Sequence, residues 1–198
     1  TEGAIGVAKK RIPGRMEAHG IPEHERSGIF LWPQEIALDD DTFADRLIAT
    51  CRALGCVSLI VFDIFGSTMI GPETKDETAR AWVRNLNRVM RETGAATLTA
   101  AHTGWQDETR ARMHTHFWGS FDHRLQAEGD QDARTTVLRV DRHKDSDSSG
   151  EWGFKLDIVD LPDGRSTLYP VLSDEVETAK RNATGANIDG TAAIALQA

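Results

Sequence analysis

The sequence predicts an α/β fold: a mostly parallel sheet, extended by antiparallel strands toward the C-terminus. Three observations carry that reading. Residues 57–63 and 95–101 form two nearly unbroken apolar runs, as strands covered on both faces require. A strongly amphipathic stretch separates them through short links, which makes a βαβ unit. Three further short strands with turn signals follow residue 134. With 198 residues the chain can build one sizeable core.

The elements follow in order. Residues 1–3 read as the end of a strand, and a helical stretch after them is broken at Pro13-Gly14. Residues 29–32 read as a short buried strand stopped by Pro33. Asp39, Asp40 and Asp41 precede a helix whose Phe43, Leu47, Ile48, Cys51 and Leu54 share a face, and Gly55 ends it. The first apolar run closes on Asp63. After the loop 66–72, Thr74 and Glu77 have capping-box spacing for a helix with the stripe Ala79, Trp82, Val83, Leu86, Val89 and Met90, closed by Gly94. Residues 105–131 turn polar, with a short helix expected only within 117–127. Strands are expected at 135–140, 152–159 and 166–171, the last two joined by Pro162-Asp163-Gly164. From Ser173 the chain is rich in Ala, Thr and Gly and reads as a flexible tail or linker.

Charge narrows the function classes. Lys and Arg total 23 against 31 Asp and Glu, a net charge of −8, which argues against coating nucleic acid by bulk charge but leaves room for a local basic patch. No apolar run reaches the roughly 20 residues a membrane span needs. Cys51 and Cys56 make no disulfide framework, read as core residues, and suit a reducing cytosol.

Several residues are candidates for chemistry. Asp63 ends a buried parallel strand, where ligands of α/β sheets sit; its structural alternative is a carboxylate bonding backbone amides. His102 ends the next strand and is expected beside Asp63. His114 and His116, with Asp122 and His123 nearby, have spacing a zinc site can use, against a solvated polar loop. Arg80, Arg84, Arg88 and Arg91 stripe one helix face, as a solvated surface or a partner surface. Arg142 and Lys144 flank a hairpin edge that can meet phosphate.

Taken in order, these segments resemble the RecA-like ATPases of the plasmid replicative helicase RepA type, within the broad AAA family ATPase group. Thr1-Glu2-Gly3-Ala4 is similar to the second core strand and its acidic end, and residues 59–65 to the Walker B strand. Ala101-His102-Thr103-Gly104 is similar to the His-His-Thr-Gly strand end, and residues 140–144 to the basic segment before the last strands. The resemblance implies a RecA-like three-layer core over residues 1–172 and a tail at 173–198. It implies an ATP-hydrolysing motor, a homo-oligomeric ring such as a hexamer, acting on single-stranded DNA in the cytoplasm. Glu2 would activate the attacking water, Asp63 would hold Mg²⁺ through water, and His102 would sense the γ-phosphate, with Thr103 and Gly104 lining the nucleotide. Arg142 and Lys144 would meet DNA.

The phosphate loop Gly-x-x-x-x-Gly-Lys-Ser/Thr occurs nowhere in the 198 residues, so a C-terminal fragment of a longer protein, inactive alone, is expected. The sequence departs from the family at Ala101, Trp105 and Trp118, the last standing where an arginine reaches a neighbouring subunit. Those departures keep a second reading in view, a catalytically weak oligomerisation or DNA-binding module. A metal-dependent hydrolase using His114, His116 and His123 is the third.

Overall fold

The computed structural model describes residues 6–25, 28–102, 115–147, 150–174 and 192–197. Four α-helices are described: α1 (Ile12–Ala18), α2 (Asp41–Leu54), α3 (Asp76–Thr93) and α4 (Thr115–Ser120). The strands are β1 (Leu59–Asp63), β2 (Ala96–His102), β3 (His123–Asp130), β4 (Thr135–His143), β5 (Glu151–Asp160), β6 (Ser166–Leu172) and β7 (Ala192–Gln197). The chain forms two compact units. The first takes Thr1–Gln34, Gly129–Val137 and Trp152–Ala186, and the second takes Glu35–Glu128, Leu138–Glu151 and Asn187–Ala198.

The α/β class holds, and β1 and β2 run parallel as the βαβ pattern requires. The expectation of a mostly parallel sheet does not. β2 pairs with β7 antiparallel, β7 with β3 antiparallel, and β5 with β6 antiparallel. Within the second unit the strand order is β1-β2-β7-β3-β4. β7 falls in the segment expected to be a flexible tail. Its Ala-rich sequence carries little burial signal, whereas backbone hydrogen bonds to two neighbours are available to any residue.

The second unit is built around α2 and α3. Asp40 caps α2 by accepting from the Thr42 N–H at 2.7 Å, and Gly55 ends the helix at φ +93°. Phe43, Ala44, Leu47, Ile48 and Cys51 are buried, while Leu54, expected on the same face, is exposed. Burial pushes the Cys51 thiol pKa up, as for a core residue. Cys56, also expected in the core, is exposed. α3 starts at Lys75 without a side-chain cap, so the capping box of Thr74 and Glu77 does not form. Asp76 and Glu77 in its first turn instead complement the dipole. Gly94, left-handed at φ +73°, closes it as expected.

The arginine stripe on α3 stays largely exposed, as a solvated face, and its middle members also reach carboxylates of α2. Arg84 Nη2 reaches Asp41 Oδ1 at 2.5 Å and Arg88 pairs with Asp45, both on α2, while Arg52 of α2 returns to Glu92 at 3.1 Å. Helical periodicity shows which residues share a face; it does not show what lies opposite.

The loop after β1 hangs on one buried polar node. Trp82 Nε1 donates to Thr68 Oγ1 at 2.9 Å, and Thr68 Oγ1 donates to Phe65 O at 2.6 Å. The Leu38 N–H donates to Thr68 O at 2.8 Å, and Asn85 Nδ2 donates to Leu38 O at 2.8 Å. Phe65, Trp82 and Phe117 pack edge-to-face around it, with centroids 4.7–5.4 Å apart.

In the first unit α1 lies on the β5–β6 hairpin. The helix runs through Pro13-Gly14 rather than breaking there, because Pro13 sits in its first turn. A Cβ on Gly14 would stand 2.2 Å from Thr167 Cγ2 and 3.1 Å from Val159 Cγ1, so glycine permits the close approach. Arg15 Nη1 donates to Pro170 O at 2.7 Å. Residues 29–32 are not a buried strand: Ile29, Phe30 and Leu31 are 44–62% exposed in irregular chain. A short apolar run without periodicity does not say whether it has a strand to pair with.

Two outcomes check this account. Asn85→Ala strips the Leu38 carbonyl of its buried donor and should cost about 1–3 kcal/mol, read as a lower urea midpoint at unchanged slope. A loss below about 0.5 kcal/mol would remove the node from the core. Second, the Asp41 carboxyl is held below its ordinary value by Asn85 and then Arg84, and Glu92 by Arg88. Depressed carboxyls stabilise the fold above their unfolded values, so stability should fall as pH drops from about 4.5 toward the lower folded values. Replacing Arg84 and Arg88 by Gln should flatten that slope.

Candidate functional site

The parallel pair β1–β2 has one closed and one open face. Register matches Leu59 with Ala96, Val61 with Leu98 and Asp63 with Ala100. Side chains alternate, so Leu59, Val61, Asp63, Leu98, Ala100 and His102 lie on one face. Ile60, Phe62, Thr97, Thr99 and Ala101 lie on the other, against the helical side, where Thr97 Oγ1 meets Met90 Sδ of α3 at 3.5 Å. Phe62, Thr97, Thr99 and Ala101 are buried. Leu59 and Val61 remain 47% and 53% exposed. The strand expected to be covered on both faces is covered on one.

Asp63 and His102 stand at the C-terminal ends of these neighbouring strands, on the open face, and both are exposed. The expected juxtaposition of strand ends is therefore present. A carboxylate and an imidazole exposed there can meet a cation and an anion without the desolvation cost of a buried charge. Ala101, which replaces the first histidine of the resembled pair, points into the core at 3% exposure. Glu2, Thr103, Gly104, Trp105 and His114 lie outside the described residues.

The chain leaving Asp63 is pinned by a residue that spacing did not single out. Asp39 accepts from the Ile70 N–H at 2.9 Å with Oδ1 and from the Gly71 N–H at 2.8 Å with Oδ2. Gly71 allows this closeness: a Cβ there would sit 2.4 Å from Thr78 Oγ1 and 3.2 Å from Asp39 Oδ2. Asp39 read in sequence as one of three carboxylates preceding α2. Its partners lie over 30 residues away, so no local signal marks it.

The remaining candidates sit on or beside α4, β3 and β4. Trp118 forms a stack: the Arg124 guanidinium carbon lies 4.0 Å from its ring centroid, and Arg124 Nε is 3.1 Å from Asp141 Oδ2. Lys144 Nζ pairs with Asp122 Oδ1 at 2.8 Å, which raises the lysine pKa. The ammonium is 57% exposed and keeps further N–H donors that a phosphate can meet beside that carboxylate. His123 and His143 pack edge-to-face with centroids 4.1 Å apart. Among the described residues no group of three or more His, Cys, Asp or Glu is placed to hold a metal ion.

The strands, the helix between them and the strand-end pair all fall within one recognisable segment. Residues 11–108 match the AAA domain family model. The match supports an AAA-type P-loop ATPase relationship for this segment, which contains Asp63, His102, Thr103 and Gly104. No curated protein and no solved structure matches the chain. Among the described residues no helix is long and apolar enough to cross a membrane.

Asp39→Ala, which frees the Ile70 and Gly71 amides, should speed their hydrogen exchange at least tenfold while core amides of β2 stay protected. Unchanged exchange at both amides would show that Asp39 does not hold the loop.

Proposed function

We propose that the AAA-type segment is the carboxylate-and-sensor side of a RecA-like ATPase of the replicative helicase type. It would work in a ring, as a homo-oligomer such as a hexamer, on single-stranded DNA. The observation that supports this best is the placement of Asp63 and His102 at the ends of adjacent parallel strands, on an exposed face, inside the segment that matches an AAA domain.

The donor chemistry fits magnesium. An exposed strand-end carboxylate suits a hard cation that keeps most of its waters, and Asp63 would hold it through one of them. Bound there, magnesium neutralises charge on the β- and γ-phosphates of ATP. His102, two residues past the register partner of Asp63, is placed to donate a hydrogen bond to a phosphate oxygen. Glu2 is the proposed base for the water, with Thr103 and Gly104 beside the nucleotide. Arg142 and Lys144 are the proposed DNA contacts.

A phosphate cradle does not belong to this set. The 198 residues contain no Gly-x-x-x-x-Gly-Lys-Ser/Thr, and the described residues offer only the metal side of the site. A second reading, a weakly hydrolysing oligomerisation or DNA-binding module, draws on Arg124. Its guanidinium is occupied by Trp118 and Asp141 of its own chain rather than extended as a cation for a neighbour.

Calorimetry with the 198-residue chain and MgATP should find binding weaker than micromolar. Micromolar affinity needs about 8 kcal/mol, which one carboxylate and one imidazole do not supply. In a longer protein with an upstream phosphate loop, Asp63→Asn should lower magnesium-dependent turnover at least tenfold, about 1.4 kcal/mol of barrier. Wild-type turnover in that variant would overturn the assignment.

A further inference from the structure

The β5–β6 hairpin of the first unit has its polarity the wrong way round for a sheet with one face in water. Register pairs Phe154 with Leu172, Leu156 with Pro170 and Ile158 with Leu168. Alternation therefore places Trp152, Phe154, Leu156, Ile158, Leu168, Pro170 and Leu172 on one face, every one apolar. The opposite face carries Lys155, Asp157, Thr167 and Tyr169 besides Val159 and Val171. Yet the mixed face is the one α1 covers, through Gly14 on Thr167 and Val159 and Arg15 over the Tyr169 ring at 6.0 Å. On the apolar face, bounded by Asp160 and Ser166 at its turn end, Trp152, Ile158, Leu168 and Leu172 are 42–61% exposed. That leaves an apolar patch on the order of 400 Å², a size that on monomers commonly marks a binding surface.

We propose that this face docks an amphipathic helix of a protein partner whose apolar stripe is flanked by lysine and arginine. Shape argues for a helix. The apolar run from Trp152 to Ile158 lies along one strand, and from Trp152 to Asp160 that strand extends roughly 27 Å, the length of about 18 helical residues. Addition of a strand at β6 is opposed by Pro170, which has no N–H to offer an incoming ladder. Charge argues for a basic flank: exposed Asp160 closes one end of the strip and exposed Asp174 follows the other. On the reverse, mixed face a helical segment carrying Lys9, Lys10, Arg11 and Arg15 already lies on the same two strands.

The test titrates the full chain with an 18-residue Leu/Lys amphipathic peptide and with its Leu/Glu counterpart. The Leu/Lys peptide should bind at least tenfold more tightly. Ile158→Gln combined with Leu168→Gln, which leaves net charge unchanged, should weaken it at least tenfold with melting midpoint and circular dichroism unaltered. Asp160→Asn with Asp174→Asn should narrow the preference between peptides. Binding indifferent to the Gln pair would overturn the proposal. So would a wild-type dimer by sedimentation that the Gln pair abolishes, which gives the face to a second copy. A lowered melting midpoint in the Gln pair would also overturn it, since the face would then be covered within the chain.

Discussion

The hydrogen bond from Trp82 to Thr68 is the constraint on which the site depends. Thr68 lies five residues past Asp63 in a loop, and a loop that long can point its strand-end carboxylate in many directions. Here it cannot, because Thr68 is wholly buried and its hydroxyl and carbonyl are both engaged, with α3 and with the segment leading to α2. Asn85 and Asp39 extend the same restraint, one to Leu38 and one to Ile70 and Gly71. Buried polar groups of this kind contribute little when satisfied and cost much when one partner is lost. The node therefore specifies where the chain goes more than it adds to stability.

Around that node the helices are matched by charge as well as by packing. α2 and α3 bury apolar stripes and then join their edges by Arg84–Asp41, Arg88–Asp45 and Arg52–Glu92. Each pair is exposed enough to contribute little by itself. Together they fix how α3 lies, and α3 carries Trp82 and Asn85 into the core. The opposite face of β1–β2 is left to Leu59, Val61, Asp63 and His102, so the strand-end carboxylate and imidazole share one side of the pair with uncovered apolar surface.

How much of this was legible in the sequence follows from the range of each signal. α2, α3, β1 and β2 were readable because periodicity and chain order are local, and so was the placement of Asp63 and His102 at neighbouring strand ends, which needs only consecutive parallel strands. β3 was missed: residues 117–127 mix polar and apolar residues in a pattern that fits a short helix, and the structure uses only Thr115–Ser120 as one. β7 was missed because its place depends on two strands distant in sequence. Asp39 and the α2 contacts of Arg84 and Arg88 were seen as composition and not as contacts, since those partners lie over 30 residues away. The one-sided exposure of β1 escaped for the opposite reason: an apolar run declares that it can be buried, not that it is.

The central claim, that Asp63 and His102 form one cation-and-phosphate side of the AAA-type segment, is most directly tested by paramagnetic relaxation. Mn²⁺ titrated into the isotopically labelled chain should broaden the backbone amides around Asp63 and His102 together, at low occupancy and before other amides respond. Asp63→Asn should abolish the effect. Broadening centred on His116 and His123, with Asp63 and His102 untouched, would contradict the account and move the chemistry to the polar segment after β2.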